Sequence, residues 1–161
     1  MTPASSIPIV FDRALLRRRL NRALMQGPAD FLLTRVAEDM DARLDTTLRP
    51  FSRALDLGTP APHIAAMLAG RSGERSITRA APLAEAASPH WQTLVADEEA
   101  LPFAPESFDL IVSALSLQWV NDLPGALVQI RRALAPDGLF LAAMAGGQTL
   151  QELRAALAQA E

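Results

Sequence analysis

The sequence predicts an α/β fold, in which a parallel sheet is covered by helices on both faces. Short apolar stretches alternate with amphipathic or alanine-rich stretches five times, and the connections between them are short. One stretch, residues 108–114 (FDLIVSA), is apolar and β-branched at its centre, which is typical of a strand buried on both faces of a parallel sheet. This alternation indicates βαβ units joined by right-handed crossovers.

Two amphipathic helices are predicted before the first strand. In residues 12–25 leucines recur on one face and arginines surround them. This basic helix has two open interpretations: a solvated face, or a helix that docks an acidic partner or covers a cofactor. In residues 30–49 apolar side chains repeat at every fourth position, and Pro50 ends the pattern.

Five strands and their helices are then predicted in order. The strands are residues 52–57, 75–79, 91–96, 108–114 and 139–145. The helices are residues 62–69, 123–134 and 150–160, with a short helix or turn at 82–87 and a tight turn at 136–138. Glycine and proline separate these elements, as expected for turns.

Length and composition limit the possible classes. At 161 residues we expect one domain, residues 10–161, preceded by a flexible arm (residues 1–9) and with residues 10–50 as a helical cover. The net charge of −3 argues against nucleic-acid binding. Cysteine and lysine are absent, which excludes disulfides, thiol nucleophiles and Schiff-base or P-loop lysines. Because no run of about 20 apolar residues and no signal peptide is seen, we expect a cytoplasmic protein without a transmembrane segment.

An acidic cluster and a polar loop are predicted to share one edge of the sheet. Asp97, Glu98 and Glu99 follow the third strand, and residues 113–119 (SALSLQW) lie at and after the end of the fourth. Open α/β sheets bind ligands outside the carboxyl ends of their strands, where the strand order reverses. We therefore expect a ligand site here, with a carboxylate accepting a hydrogen bond from an exocyclic amine. A solvated acidic loop is the alternative.

The turns after the first two strands restrict the kind of ligand. Gly58 allows a ligand to approach closely, or serves a rigid turn, but residues 59–62 (TPAP) argue against a phosphate cradle, because proline lacks an N–H donor. No carboxylate follows the second strand until Glu85, and Arg79 is predicted to be a surface residue. A nicotinamide-binding domain requires a glycine fingerprint and an acidic residue here, so it is the least favoured reading.

The aromatic and imidazole side chains leave few further possibilities. Trp119 follows a buried strand and is predicted either to cover a pocket or to act as a packing anchor. His63 and His90 are far apart in the sequence and have no second ligand at metal spacing, so we predict surface or helix-cap roles and no metal site. No Ser-His-Asp arrangement is evident.

Five segments of the chain resemble class I S-adenosylmethionine-dependent methyltransferases of the methyltransferase type 11 kind. They are LDLG (55–58), ADEEALPF (96–103), SFDLIVSALSLQWVNDLPGAL (107–127), IRRALAPDGLF (130–140) and GGQTLQELR (146–154). The chain looks like the branch that contains the methyltransferase-like assembly factor of respiratory complex I, and it is similar to the malonyl-acyl-carrier-protein methyltransferases of biotin synthesis. The resemblance covers about residues 10–161 and implies a Rossmann-like, doubly wound sheet with strand order 3-2-1-4-5.

The resemblance also implies a site for S-adenosylmethionine. It assigns Asp56 and Gly58 to the methionine and ribose side, Asp97 and Glu98 to the adenine, Ser113 and Leu117 to the methionine end, and Gln118 and Trp119 to the substrate mouth. The substrate would be a protein side chain or an acyl carrier. Methyl transfer from a sulfonium depends mainly on positioning, so the lack of an acid–base triad is no objection.

Three departures from the family pattern lead to further expectations. Residues 58–62 replace a glycine-rich motif, and Ala80 or Ala81 stands where a ribose-binding carboxylate is expected. The lost hydrogen bonds would weaken cofactor binding by roughly ten- to a hundred-fold. The last two strands of the family, 6 and 7, are missing, which leaves the fifth strand as an exposed apolar edge that could pair with a second copy. The alternative function is therefore an assembly or interaction factor, for example for respiratory complex I, with weak or no cofactor binding.

Overall fold

The computed structural model describes residues 9–73 and 75–160, so nearly all of the predicted flexible arm lies outside the described residues. In chain order the helices and strands are α1 (Arg13–Gln26), α2 (Phe31–Asp45), β1 (Arg53–Leu57), α3 (His63–Gly70), β2 (Ser76–Ala81), β3 (Gln92–Val95), β4 (Phe108–Ala114), a 3-10 turn (Leu117–Trp119), α4 (Leu123–Ala133), β5 (Leu134–Ala143) and α5 (Gln151–Ala160). In this part of the chain, no helix combines the length and apolar character needed to cross a membrane.

The five strands form one parallel sheet in the order β3-β2-β1-β4-β5. β1 lies at the centre, where Leu55 is paired with Thr78 of β2 on one side and with Ile111 of β4 on the other. The predicted fold class and strand order are confirmed. The strand order reverses between β1 and β4, so their carboxyl ends form the switch point at which such sheets bind ligands.

Alternate strand residues supply two core layers, because successive side chains of a strand point to opposite faces. On one face, Ala54 and Leu110 pack in a cluster with buried residues of α2 and α3. On the other face, Leu55 and Ile111 pack with Ile130 and its neighbours in α4. Each fully buried leucine or isoleucine contributes about 1.5–3 kcal/mol, so both layers hold the central strands rigidly.

Three predicted boundaries differ from the structure. α2 ends at Asp45 rather than near residue 49, because the hydroxyl of Thr46 donates to the Arg43 carbonyl oxygen (2.7 Å) and closes the last turn. For residues 82–87 the prediction is a short helix or a turn, and no helix forms: residues 82 and 83 form a bend and residues 84–87 have no regular structure. The predicted turn at 136–138 is an irregularity inside β5, which already begins at Leu134 and carries Asp137 at a φ of 60°.

β5 and α5 contain no buried residue. β5 pairs with β4 on one side, and no strand of the described residues pairs with its other side. All of α5 is exposed, including Leu153 and Leu157. β5 therefore occupies the edge of the sheet, as predicted.

Candidate functional site

The site lies where the segments that follow β1, β3 and β4 converge. Gly58, the residue after β1, has a φ of 70°, which an L side chain rarely adopts. A Cβ at this position would overlap the carboxylate of Glu98 and the hydroxyl of Ser116. The hydroxyl of Ser116 also donates to Glu98. Glycine is therefore needed here so that the three segments can approach one another.

Two arginines of α1 are paired with the acidic residues at this edge. Arg13 lies 2.8 Å from Asp97 and also contacts Glu98, and Arg17 contacts Asp97. Only 5% of the Glu98 side chain and 15% of the Arg13 side chain are exposed. The interpretation of a solvated acidic loop is therefore wrong for Glu98, because α1 covers it.

The pKa shifts of this cluster have identifiable causes. Burial alone would raise the pKa of Asp97, but the backbone N–H of Glu99 (3.0 Å) and the guanidinium groups of Arg13 and Arg17 outweigh burial and lower it. Burial alone would lower the pKa of Arg13, and the carboxylates of Glu98 and Asp97 raise it instead. Both partners are therefore charged at neutral pH, and the contact is an ion-pair network.

The loop after β4 fixes the start of α1. The side-chain oxygen of Asn121 accepts hydrogen bonds from the backbone N–H groups of Val10 and Phe11, each at 2.8 Å. The ring of Trp119 packs edge-on against Phe11, with centroids 5.6 Å apart, and the Trp119 carbonyl oxygen accepts from Arg13 at 3.1 Å. Trp119 thus serves as a packing anchor while 41% of it stays exposed.

A small cavity remains between α1 and the edge of the sheet. Its volume is about 80 Å³, and Leu16, Leu20, Gly58, Ser116 and Trp119 contribute to its lining. Pockets for small molecules and cofactors typically measure roughly 300–1,000 Å³. A nucleoside-containing cofactor therefore does not fit into this cavity while α1 lies in this position.

Asp56 lies beneath the Gly58 turn in a buried ion pair. Its Oδ2 accepts from Arg79 (2.5 Å) and from the backbone N–H of Ala65 (3.2 Å), and neither ion-paired side chain is exposed. Arg79 also donates to Glu85 and to the carbonyl oxygen of Thr59. The prediction that Arg79 is a surface residue is wrong, because these acceptors surround its guanidinium. Burial raises the pKa of Asp56 to about 6, although Arg79 opposes the shift.

The remaining predicted site residues lie around the end of β4. Ser113 is buried, and its hydroxyl has no hydrogen-bond partner among the described residues. Leu117 belongs to the core layer under α4, and Gln118 donates to the Leu115 carbonyl oxygen at 2.9 Å. The cofactor roles of these residues stay predictions. His63 lies 3.2 Å from Asp30, and no cluster of three potential metal ligands occurs in the described ranges.

Comparison with known proteins identifies the family. A family model described as "Methyltransferase domain" matches residues 55–142. The zebrafish (Danio rerio) protein named arginine-hydroxylase NDUFAF5, mitochondrial, is 41% identical over 163 residues, which cover 94% of this chain and 50% of that protein. Malonyl-[acyl-carrier protein] O-methyltransferase of Methylovorus sp. (strain MP688) is 33% identical over 166 residues, covering 93% of this chain and 56% of that protein.

The solved structures agree on the fold. The crystal structure of a putative S-adenosyl-L-methionine-dependent methyltransferase from Methanococcus maripaludis aligns with a TM-score of 0.58 at 19% identity, over 96% of this chain and 74% of that chain. This chain spans about half the length of the curated relatives it matches. Since the matched segment runs from β1 into β5 and includes the switch-point edge, the chain belongs to the family of methyltransferase domains.

Proposed function

We propose that this domain binds S-adenosylmethionine at the edge formed by Gly58, Asp97 and Glu98. The observation that carries this proposal is the Arg13 guanidinium on the two carboxylates. It shows that these groups already accept N–H donors from a planar group, at the position that the resemblance assigns to adenine. An exocyclic amine offers donors of the same kind.

The chain's own residues suit one side of this cofactor better than the other. Asp97 and Glu98 would accept from the adenine amine, and Gly58 allows the close approach. The Ser113 hydroxyl, buried and without a partner in the described part of the chain, retains hydrogen-bonding capacity. When bound, the cofactor would supply a methyl group on a sulfonium sulfur.

The ribose side of the proposed site lacks a free carboxylate. Ala80 and Ala81 end β2 with no carboxylate for a diol, and Glu85, the next acidic residue, is engaged by Arg79. We therefore propose a cofactor affinity roughly ten- to a hundred-fold weaker than that of a complete site.

The substrate class follows from the relatives. One relative is named for arginine hydroxylation and another for methylation of malonyl-acyl-carrier protein. We propose that this domain modifies a protein side chain, with arginine as the first class to test and an acyl carrier as the second. The alternative is an interaction or assembly factor that binds the cofactor weakly or not at all.

No nucleic-acid substrate is proposed for a chain with a net charge of −3. The cytoplasmic location stays a prediction, and the zebrafish relative is named as mitochondrial.

Calorimetric titration with S-adenosylhomocysteine tests the proposal. We expect binding in the micromolar to millimolar range that is lost in Asp97→Ala. The matched control is Glu38→Ala, which removes a carboxylate from the exposed face of α2. The side chain of Glu38 is 61% accessible. Binding should be unchanged there. The absence of binding up to millimolar ligand, both in the natural protein and in a folded variant that lacks the Arg13 and Arg17 guanidinium groups, would reject the cofactor site and favour the interaction factor.

A further inference from the structure

α1 is attached to the molecule by ion pairs and by half-buried side chains. None of its fourteen residues is buried, whereas α2 buries four. Its ion pairs join Arg13 and Arg17, which we call the arginine latch, to Asp97 and Glu98. Elements with few buried apolar contacts open at a small fraction of the free energy of global unfolding. α1 can therefore leave the sheet edge while the core stays intact.

The connection after α1 suits such a movement. Gly27 has a φ of 82°, and no atom lies within 4 Å of the place where its Cβ would be. Pro28 follows, and the next helix begins only at Phe31. A short exposed linker of this kind can absorb large changes in backbone angles, as hinges do.

The latch occupies the groups that the cofactor requires. The carboxylate oxygens of Asp97 and Glu98 accept hydrogen bonds from guanidinium groups. α1 also reduces the space above Gly58 to about 80 Å³. The latched helix and the cofactor therefore cannot share the edge. We infer that α1 is an electrostatic gate, in which Arg13 and Arg17 hold the site shut and are displaced from Asp97 and Glu98 when the cofactor binds. This inference rests on the proposed function.

The gate predicts how the apparent affinity for the cofactor changes when the latch is removed. A ligand that binds only the open form has an apparent affinity reduced by the fraction of molecules that are open. Removing the latch should therefore tighten binding, whereas removing a residue of a binding site should weaken it. Salt screens charges that are partly exposed, so added salt should also release the latch. 41% of the Arg17 side chain is accessible, which makes this part of the latch sensitive to salt.

The test compares two double variants of the same helix. The variant Arg13→Gln/Arg17→Gln removes the latch. The control Arg18→Gln/Arg19→Gln removes two exposed arginines, which form no ion pair among the described residues. By calorimetry we expect the latch variant to bind S-adenosylhomocysteine roughly five- to thirty-fold more tightly than the natural protein, because the two arginines make three partly buried ion pairs. The control should bind like the natural protein. Affinity should rise with salt in the natural protein and lose this dependence in the latch variant.

A second measurement follows α1 without any ligand. Trp119 contacts Phe11 and Arg13, so its fluorescence reports whether α1 is docked, and Trp91→Phe removes the other tryptophan. In that background the latch substitutions should shift the emission to longer wavelength and speed hydrogen exchange in α1. The control substitutions should do neither.

The outcomes separate the two proposals. If the natural protein binds the ligand and the latch variant binds equally or more weakly, the gate is rejected and the proposed function stands. Unchanged Trp119 emission and unchanged hydrogen exchange in the latch variant would also reject the gate. If neither the natural protein nor the latch variant binds, the proposed function is rejected, and the gate with it.

Discussion

The buried pair of Asp56 and Arg79 connects the two central strands directly under the candidate site. The two residues are register partners of β1 and β2, and Arg79 also holds the carbonyl oxygen of Thr59 at 2.9 Å. Removing one partner of a buried ion pair typically costs about 3–5 kcal/mol, because the other charge is left without compensation. The pair therefore positions the turn that contains Gly58.

The pKa of Asp56 predicts an unusual dependence of stability on pH. It is raised from 3.8 to about 6 in the folded protein, so the folded state binds the proton more tightly than the unfolded state. The contribution of Asp56 to the free energy of unfolding should therefore fall as pH rises from about 4 to about 6, by up to about 3 kcal/mol. Urea unfolding at several pH values, with Asp56→Asn for comparison, measures this contribution as the difference between the two curves. Parallel curves would contradict the raised pKa.

Individual residues also show which features of the site can be predicted from the sequence. The sequence places Asp97 and Glu98 at the ligand edge, because they follow the end of a predicted strand. The sequence does not predict their pairing with Arg13, because Asp97 lies 84 positions and Glu98 lies 85 positions from Arg13 along the chain. The wrong prediction for Arg79 has a different reason: the predicted strand order places β2 beside β1, but the sequence does not reveal the residue register between them. Aligning β1 with β2 would have set its charge beside Asp56.

At the scale of elements, α1 and α2 have similar amphipathic patterns but different roles. Periodicity indicates which side chains share a face of a helix, and it does not indicate what that face will contact. α2 packs on the sheet through Leu33, Met40 and Leu44, while α1 is held by the arginine latch. Both helices were predicted from the sequence, and only the structure distinguishes the core helix from the gate.

This difference predicts where stability is sensitive. Met40 is 1% exposed in the core layer of α2, so Met40→Ala should lower the free energy of unfolding by about 2–5 kcal/mol through the lost contacts and the cavity left behind. Leu32→Ala is the matched control on the same helix, at a position that is 52% exposed, and should change it by about 0.5 kcal/mol or less. Chemical denaturation followed by circular dichroism measures both. Equal effects would mean that α2 does not pack as described.

At the scale of the whole molecule, the architecture was the most predictable feature. The alternation of strands and helices determines the class, and the resemblance supplied the strand order. The five strands lie within a few residues of their predicted positions, apart from β5, which begins five residues early. The irregularity at Asp137 explains this miss, because a turn-like Pro-Asp-Gly segment continues the strand instead of preceding it.

The edge position of β5 predicts self-association of this chain. An edge strand presents unpaired backbone groups, which are a template for pairing with a second copy, and a charged side chain on that edge opposes the pairing. Sedimentation velocity over a range of concentrations should therefore show dimers or larger species, and Ala142→Lys, at an exposed position of β5, should shift them to monomer. Leu153→Lys on α5 is the comparison, because that helix also exposes apolar side chains. If only Leu153→Lys dissociates the species, association proceeds through α5, and a monomer at every concentration would exclude both surfaces.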